Sequence, residues 1–97
     1  MKKKSFYVYI LANKRNGTLY TGVTSALIKR VYEHKNELAP GFSKKYGTKM
    51  LVYYEPVDTA EEAIRREKQI KAWKREWKLN HIEDMNPEWE DLYETIL

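Results

Sequence analysis

Cysteine is absent from this 97-residue chain, which excludes disulfides, thiolate nucleophiles and cysteine-based zinc sites. A reducing compartment such as the cytoplasm suits such a composition. Glycine and proline are scarce, at four and three residues, and no low-complexity or repeated segment interrupts the chain, so long flexible linkers are not expected. No apolar run approaches a membrane span. The opening "MKKKSFYVYILA" imitates the basic and apolar parts of a signal peptide. Its apolar run is short, however, and meets the charged "NKR" without a small-residue cleavage site, so it reads as a strand. At this length one domain is expected over residues 1–97, burying roughly 60–65% of its unfolded surface.

What the chain has in quantity is charge, unevenly placed. Residues 1–78 hold all 18 Lys and Arg against 8 acids, whereas residues 79–97 hold 6 acids and no Lys or Arg. A body this basic favours polyanions through phosphate neutralisation and counterion release, so nucleic acid is the first partner to consider, against a merely solvated surface.

Side chains alternate along "FYVYILA", the mark of a strand. Asn16-Gly17 is the pair preferred by a two-residue type I′ hairpin turn, after which a second strand is expected from Thr18 to Val23. With that tight turn Ile10 faces Val23, Leu11 faces Gly22 and Asn13 faces Tyr20; a longer loop changes the partners. Val8, Ile10 and Val23 then form the core face, while Tyr7, Tyr9 and Tyr20 share the other face around the bare Gly22, where a phosphate or water can approach.

"TSALIKRVYEHKNEL" reads as a helix capped by Thr24 or Ser25, with Leu27, Val31, His34 and Leu38 on one stripe. Arg30 and His34, four residues apart, share a flank and can address one ligand. "APGFSKKYGTK" reads as an irregular loop whose Lys44, Lys45 and Lys49, interleaved with Phe42 and Tyr46, suit backbone contact and base stacking, or simply solvent. "MLVYYEP" is a third strand ended by Pro56. A long helix capped by Thr59 or Asp58 follows, with Ala60, Ala63, Ile70 and Trp77 as its stripe and a bend or end near Lys74. Glu67 falls inside that stripe. A buried carboxylate demands compensation, whether from a ligand or from an ion pair with Lys71 or Arg66. "MNPEWEDLYETIL" begins with an Asn cap and Pro, and is expected to form an amphipathic acidic helix over about 86–97 through Trp89, Leu92, Tyr93 and Ile96. Trp73, Trp77 and Trp89 are read as packing residues, and Lys2 to Lys4 as a basic arm.

"YVY" on one strand, "YTG" on the next, an Arg and a His four apart on the following helix, and a Glu on a later helix form an ordered set that resembles the GIY-YIG nuclease superfamily, particularly its small stand-alone bacterial members. The resemblance spans about residues 6–79. It implies an α/β fold with a small, mainly antiparallel three-stranded sheet flanked by helices, and metal-dependent hydrolysis of phosphodiester bonds. Carried over to this sequence, Tyr20 would be the general base, Arg30 the phosphate stabiliser, Tyr9 and His34 supporting hydrogen-bonding groups, Gly22 the glycine of the second motif, and Glu67 the ligand of one Mg²⁺ or Mn²⁺. Substrate contacts are expected at Gly22, Lys44, Lys45, Tyr46 and Lys49. His34 is equally open to a structural reading. Tyr7 stands where the family usually has Gly, and Thr21 where it has Ile or Val. Val23 takes the place of a lysine seen in some relatives, and Asn80 is a loose match to a late asparagine. An unperturbed phenol has a pKa of about 10, so Tyr20 would need a nearby cation.

The expected function is structure-selective nucleic-acid cleavage, DNA before RNA, in repair or recombination, with a partner protein as one source of specificity. The alternative is a binding protein that keeps the fold and cuts slowly or not at all. A further possibility is that the acidic C-terminal helix covers the basic face.

Overall fold

The computed structural model describes residues 6–38 and 41–97, with residues 42 and 43 described by their backbone alone. Strand β1 (Phe6–Ala12) runs antiparallel to β2 (Leu19–Thr24) on one side and β3 (Met50–Val57) on the other, giving the order β2-β1-β3. Helix α1 (Leu27–Lys35) follows the hairpin. A short α2 (Phe42–Tyr46) precedes β3. Helices α3 (Ala60–Ala72) and α4 (Arg75–Met85) and a 3₁₀ turn (Leu92–Ile96) complete the chain.

The hairpin departs from the tight-turn expectation. Tyr9 pairs with Gly22, Ile10 with Thr21 and Leu11 with Tyr20, a register two residues from the expected one. Only Asn16 takes a positive φ, at 58°, whereas a type I′ turn needs two such residues. The loop therefore spans residues 14–17: Asn13 N–H donates to the Thr18 carbonyl, Thr18 N–H donates to Asn13 Oδ1 at 2.9 Å, and Gly17 N–H donates to the Lys14 carbonyl at 3.0 Å. Because side chains alternate with period two, an even shift preserves the expected faces.

Both of those faces are buried. Val8, Ile10 and Ala12 pack with Val52, Ala63, Ile70, Ile82 and Trp89 under α3 and α4. Tyr9 and Leu11 pack with Leu27, Val31 and Leu51 under α1, flanked by Leu92, Tyr93 and Ile96. The expected open tyrosine face is thus a second core layer, since a central strand covered by helices on both sides reads as an almost continuous apolar run.

Helix α1 starts at Leu27, after Thr24 Oγ1 accepts from Ala26 N–H, and stops before Leu38, which is 64% exposed rather than on the buried stripe. The expected lysine loop contains α2, and β3 runs one residue past Pro56, which pairs with Tyr7 on an edge strand where proline is tolerated. Thr59 caps α3 by accepting from Glu62 N–H, and its hydroxyl donates to the Glu62 carboxylate.

The long helix breaks at Trp73 and Lys74, both in extended backbone. Trp73 stacks against His81 with centroids 4.3 Å apart and lies under the Arg66 guanidinium, so packing rather than proline or glycine turns the chain. Trp77 consequently belongs to α4 and is half exposed.

The C-terminal segment is not an α-helix. Trp89 takes φ 55° and is buried beneath α4, while Leu92, Tyr93 and Ile96 lie on the α1 layer, so the segment wraps the outer edge of β3. A bulge between Ile10 and Leu11 on β1 skips Val52, and Asn86 Nδ2 donates to the Val52 carbonyl at 3.3 Å. Asp91 Oδ1 accepts from Leu51 N–H at 3.1 Å, and its other oxygen pairs with Lys35. Edge groups that could recruit another strand are thereby occupied. Among the described residues no helix is long and apolar enough to cross a membrane.

Candidate active site

Five side chains from four elements converge beside β2. Tyr9 sits on the central strand and is fully buried. Its ring leans over Gly22, where an added Cβ would stand 2.5 Å from the phenol oxygen. The space that glycine leaves is therefore filled by Tyr9 rather than open to phosphate. Glycine at residue 22 is what lets the ring lie there.

Tyr20, half buried on β2, and His34, on the inner face of α1, complete an aromatic cluster. Ring centroids are 6.3 Å apart for Tyr9 and Tyr20, 6.0 Å for Tyr9 and His34, and 5.2 Å for Tyr20 and His34. Tyr9 Oη and His34 Nε2 are 3.2 Å apart, and His34 Nδ1 is buried without a partner. Burial, followed by the Arg30 charge, holds the imidazole below its usual pKa, against a smaller opposing pull from Glu33. A neutral ring carries one proton. Placing it on Nδ1 would orphan a buried N–H, whereas placing it on Nε2 orphans only an acceptor, the better tolerated defect. His34 then donates to Tyr9, which leaves the Tyr9 hydroxyl proton free to donate elsewhere.

Burial above all, then the nearby Tyr20 and Glu67, pushes the Tyr9 phenol far above its ordinary value despite the lowering influence of Arg30. Tyr9 thus keeps its proton rather than serving as a base. The same interactions place Arg30 and Glu67 at the cluster. Arg30 is exposed on α1, with its Nε 3.4 Å from Glu33. Glu67 reaches in from α3, which packs on both β1 and β2, and is only 15% exposed. Its Oε2 pairs with Lys71 Nζ at 2.7 Å, one of the two ion pairs foreseen; Arg66 is instead bound to Glu55 at 2.9 Å.

Among the described residues no group of three or more His, Asp or Glu side chains could hold a metal. Glu67 offers a lone, half-buried carboxylate. That donor fits Mg²⁺ or Mn²⁺, which keep several waters and borrow ligands from phosphate, and does not fit a closed structural site.

The remaining sequence candidates lie elsewhere. Lys44, Lys45 and Tyr46 are exposed on and beside α2, and Lys49 pairs with Glu37 at 2.8 Å just beyond the C-terminal end of α1. Asn80 is exposed on α4. Val23 is half buried, packs on the α3 layer and borders a cavity that Arg30 also lines. The acidic segment sits at the β3 edge, across β1 from Tyr20, rather than over the five converging residues. Sequence reasoning missed Lys78, which joins Lys71 beside Tyr20; its position depends on the break at Trp73 and Lys74. It also missed a larger cavity of about 710 Å³ on the α1 layer, bordered by Tyr7, Tyr32, Tyr54 and Tyr93, whose lining comes from four separate segments.

An ordered Tyr, Tyr, Arg, His and Glu gathered beside one edge of a three-stranded sheet defines the class. The family model described as the GIY-YIG catalytic domain matches residues 5–80, and the chain belongs to this family. Its relatives are small bacterial proteins. A UPF0213 protein of Staphylococcus saprophyticus is 38% identical over 78 residues, covering 80% of this chain and 94% of the relative. A UPF0213 protein of Bacillus pumilus is 33% identical over 94 residues, covering 97% and 95%. The solution NMR structure of a UPF0213 protein from Bacillus halodurans is similar with a TM-score of 0.55 and 28% identity, covering 89% of this chain and 90% of that one.

Proposed function

We propose that this protein is a metal-dependent endonuclease that hydrolyses phosphodiester bonds in nucleic acid, DNA before RNA, selecting its target by structure rather than by sequence. The observation that carries the reading is the convergence of Tyr9, Tyr20, Arg30, His34 and Glu67 from four elements on one edge. The family match adds a catalytic domain over most of the chain. Flaps, branches and single strands are the favoured substrates in repair or recombination, because the surplus of Lys and Arg over acids in residues 1–78 meets backbone phosphates without regard to base.

In this reading Tyr20, in its deprotonated form, takes the proton from the attacking water as the water oxygen bonds to phosphorus and the bond from phosphorus to the departing oxygen breaks. Arg30 binds the non-bridging oxygens of the phosphate, where negative charge grows in the transition state. Tyr9, buried behind the cluster, is a positioning residue that supports the Arg30 guanidinium, and His34 fixes the Tyr9 rotor in turn. Glu67 would hold the divalent ion, which when bound supplies charge stabilisation at the departing oxygen. Lys71 orients that carboxylate in the meantime.

A second reading, a nucleic-acid-binding protein with slow or no cleavage, is favoured by one observation: a cation already occupies Glu67, and a metal must compete with it. Nicking assays on labelled flap, branched and single-stranded DNA and RNA with Mg²⁺ or Mn²⁺ separate the two. Cleavage by the wild type that is lost in EDTA supports the nuclease. Binding that persists in EDTA with no product under any metal supports the second reading.

A further inference from the structure

Beyond the five converging residues, a cavity of about 290 Å³ opens on the other side of Tyr20, lined by Leu19, Tyr20, Thr21, Lys71 and Lys78. Its two ammonium groups come from different helices. Lys71 ends α3 and Lys78 lies one turn into α4, and only the extended backbone at Trp73 and Lys74 brings them to the same stretch of β2. Arg75 secures this arrangement: its guanidinium donates to the carbonyls of Asn16 at 2.7 Å and Gly17 at 2.6 Å, tying the hairpin loop to the start of α4.

The cations are crowded. Lys78 is half buried, and burial, then Arg75 and Lys71, all act to hold its ammonium below the ordinary lysine value. Lys71 has the Glu67 carboxylate, while Arg75 is committed to backbone carbonyls. Like charges gathered at a partly desolvated cavity raise the energy of the free protein, and an anion bound between them removes that cost.

Resting on the nuclease reading, we propose that Lys78, with Lys71, forms a second phosphate subsite that takes the phosphodiester next to the scissile one and sets the path of the strand along the outer edge of β2. Arg30 borders a cavity at the Val23–Ser25 end of β2 and the subsite lies at the Leu19–Thr21 end, so one backbone running along this edge can engage both. The ligand class is a nucleic-acid strand, and the subsite reads its backbone without regard to base.

The test uses the full chain and a fluorescein-labelled oligothymidylate in EDTA, where cleavage does not interfere. Lys78→Ala should weaken binding about fivefold or more at low salt and flatten the plot of log affinity against log salt by about 0.7, the single-strand value for one lost phosphate contact. Lys78→Arg should retain most of the affinity, and Lys14→Ala in the hairpin loop should change it little. In ¹H–¹⁵N spectra the oligonucleotide should shift Thr21, Lys71 and Lys78. Unchanged affinity and salt slope in Lys78→Ala, or no shifts at these residues, overturns the subsite. If cleavage survives with an unaltered KM in that variant, the subsite falls and the nuclease reading stands. If the oligonucleotide engages Lys78 but the wild type never cleaves, the subsite stands and the nuclease reading falls.

Discussion

The two outer edges of the sheet are finished in opposite ways. At β3 the exposed backbone is met by the chain's own side chains: Asn86 binds the Val52 carbonyl, Asp91 binds Leu51 N–H, and the acid of Asp91 is neutralised by Lys35. At β2 the neighbours are Arg30, Lys71, Lys78 and Arg75, whose positive charge exceeds what Glu33 and Glu67 supply. One edge is closed by internal complementarity and the other is left with a surplus that a polyanion can match. The acidic tail follows the same logic. It belongs to the stability of the closed edge and stands apart from the open one.

Substitutions can break this contrast in graded ways. The largest effect is expected at the open edge: Tyr20→Phe or Glu67→Ala should reduce the cleavage rate roughly 10²–10⁴-fold, as the loss of a general base or an equivalent group does, with the melting temperature and oligonucleotide affinity largely kept. At the closed edge Trp89→Ala should cost about 3–5 kcal/mol of stability in denaturant titration while leaving the rate per folded molecule unchanged. Gly22→Ala couples the two kinds of effect. Its Cβ would displace the Tyr9 ring, costing about 1–3 kcal/mol in stability. The shifted Tyr9 should also lower kcat on the order of 10²-fold, measurable at saturating substrate.

The smallest effect is the pH dependence from His34. Its folded pKa lies below the unfolded value of about 6.5, so the unfolded chain binds more protons near that pH. Stability should therefore fall as pH drops through about 6.5 and level off below the folded pKa. The slope should shrink in His34→Gln, as followed by urea midpoints between pH 5 and 8.

How much of this could be read beforehand follows from the range of the forces involved. The strands, the faces of the hairpin and the Thr59 cap are local in origin, and they emerge even though the turn is longer than the Asn16-Gly17 pair suggests. The two-residue register shift was invisible because alternation alone is satisfied by either register. Burial of Tyr9 on the second face could not be read, since it requires α1 and the 3₁₀ turn to cover β1 from a distance in sequence. The break near Lys74 was legible from a charge beside the apolar stripe, but its cause was not: Trp73 turns the chain by packing against His81 and Arg66. The C-terminal segment shows helical spacing, but Trp89 and Leu92 serve different layers, which a single helix cannot arrange. The five residues that converge beside β2 were legible as an ordered set. Lys78 was not, because its place beside Tyr20 exists only after the break.

The most direct test of the open-edge account is a Mn²⁺ titration followed by paramagnetic broadening in ¹H–¹⁵N spectra. Charge alone would send the ion to residues 79–97, where six of the fourteen acids lie and no Lys or Arg does. The account predicts broadening centred on Glu67 and extending to Tyr9, Tyr20 and Arg30, abolished in Glu67→Ala. Broadening centred on Asp91 and Glu94, unchanged in that variant, would contradict it.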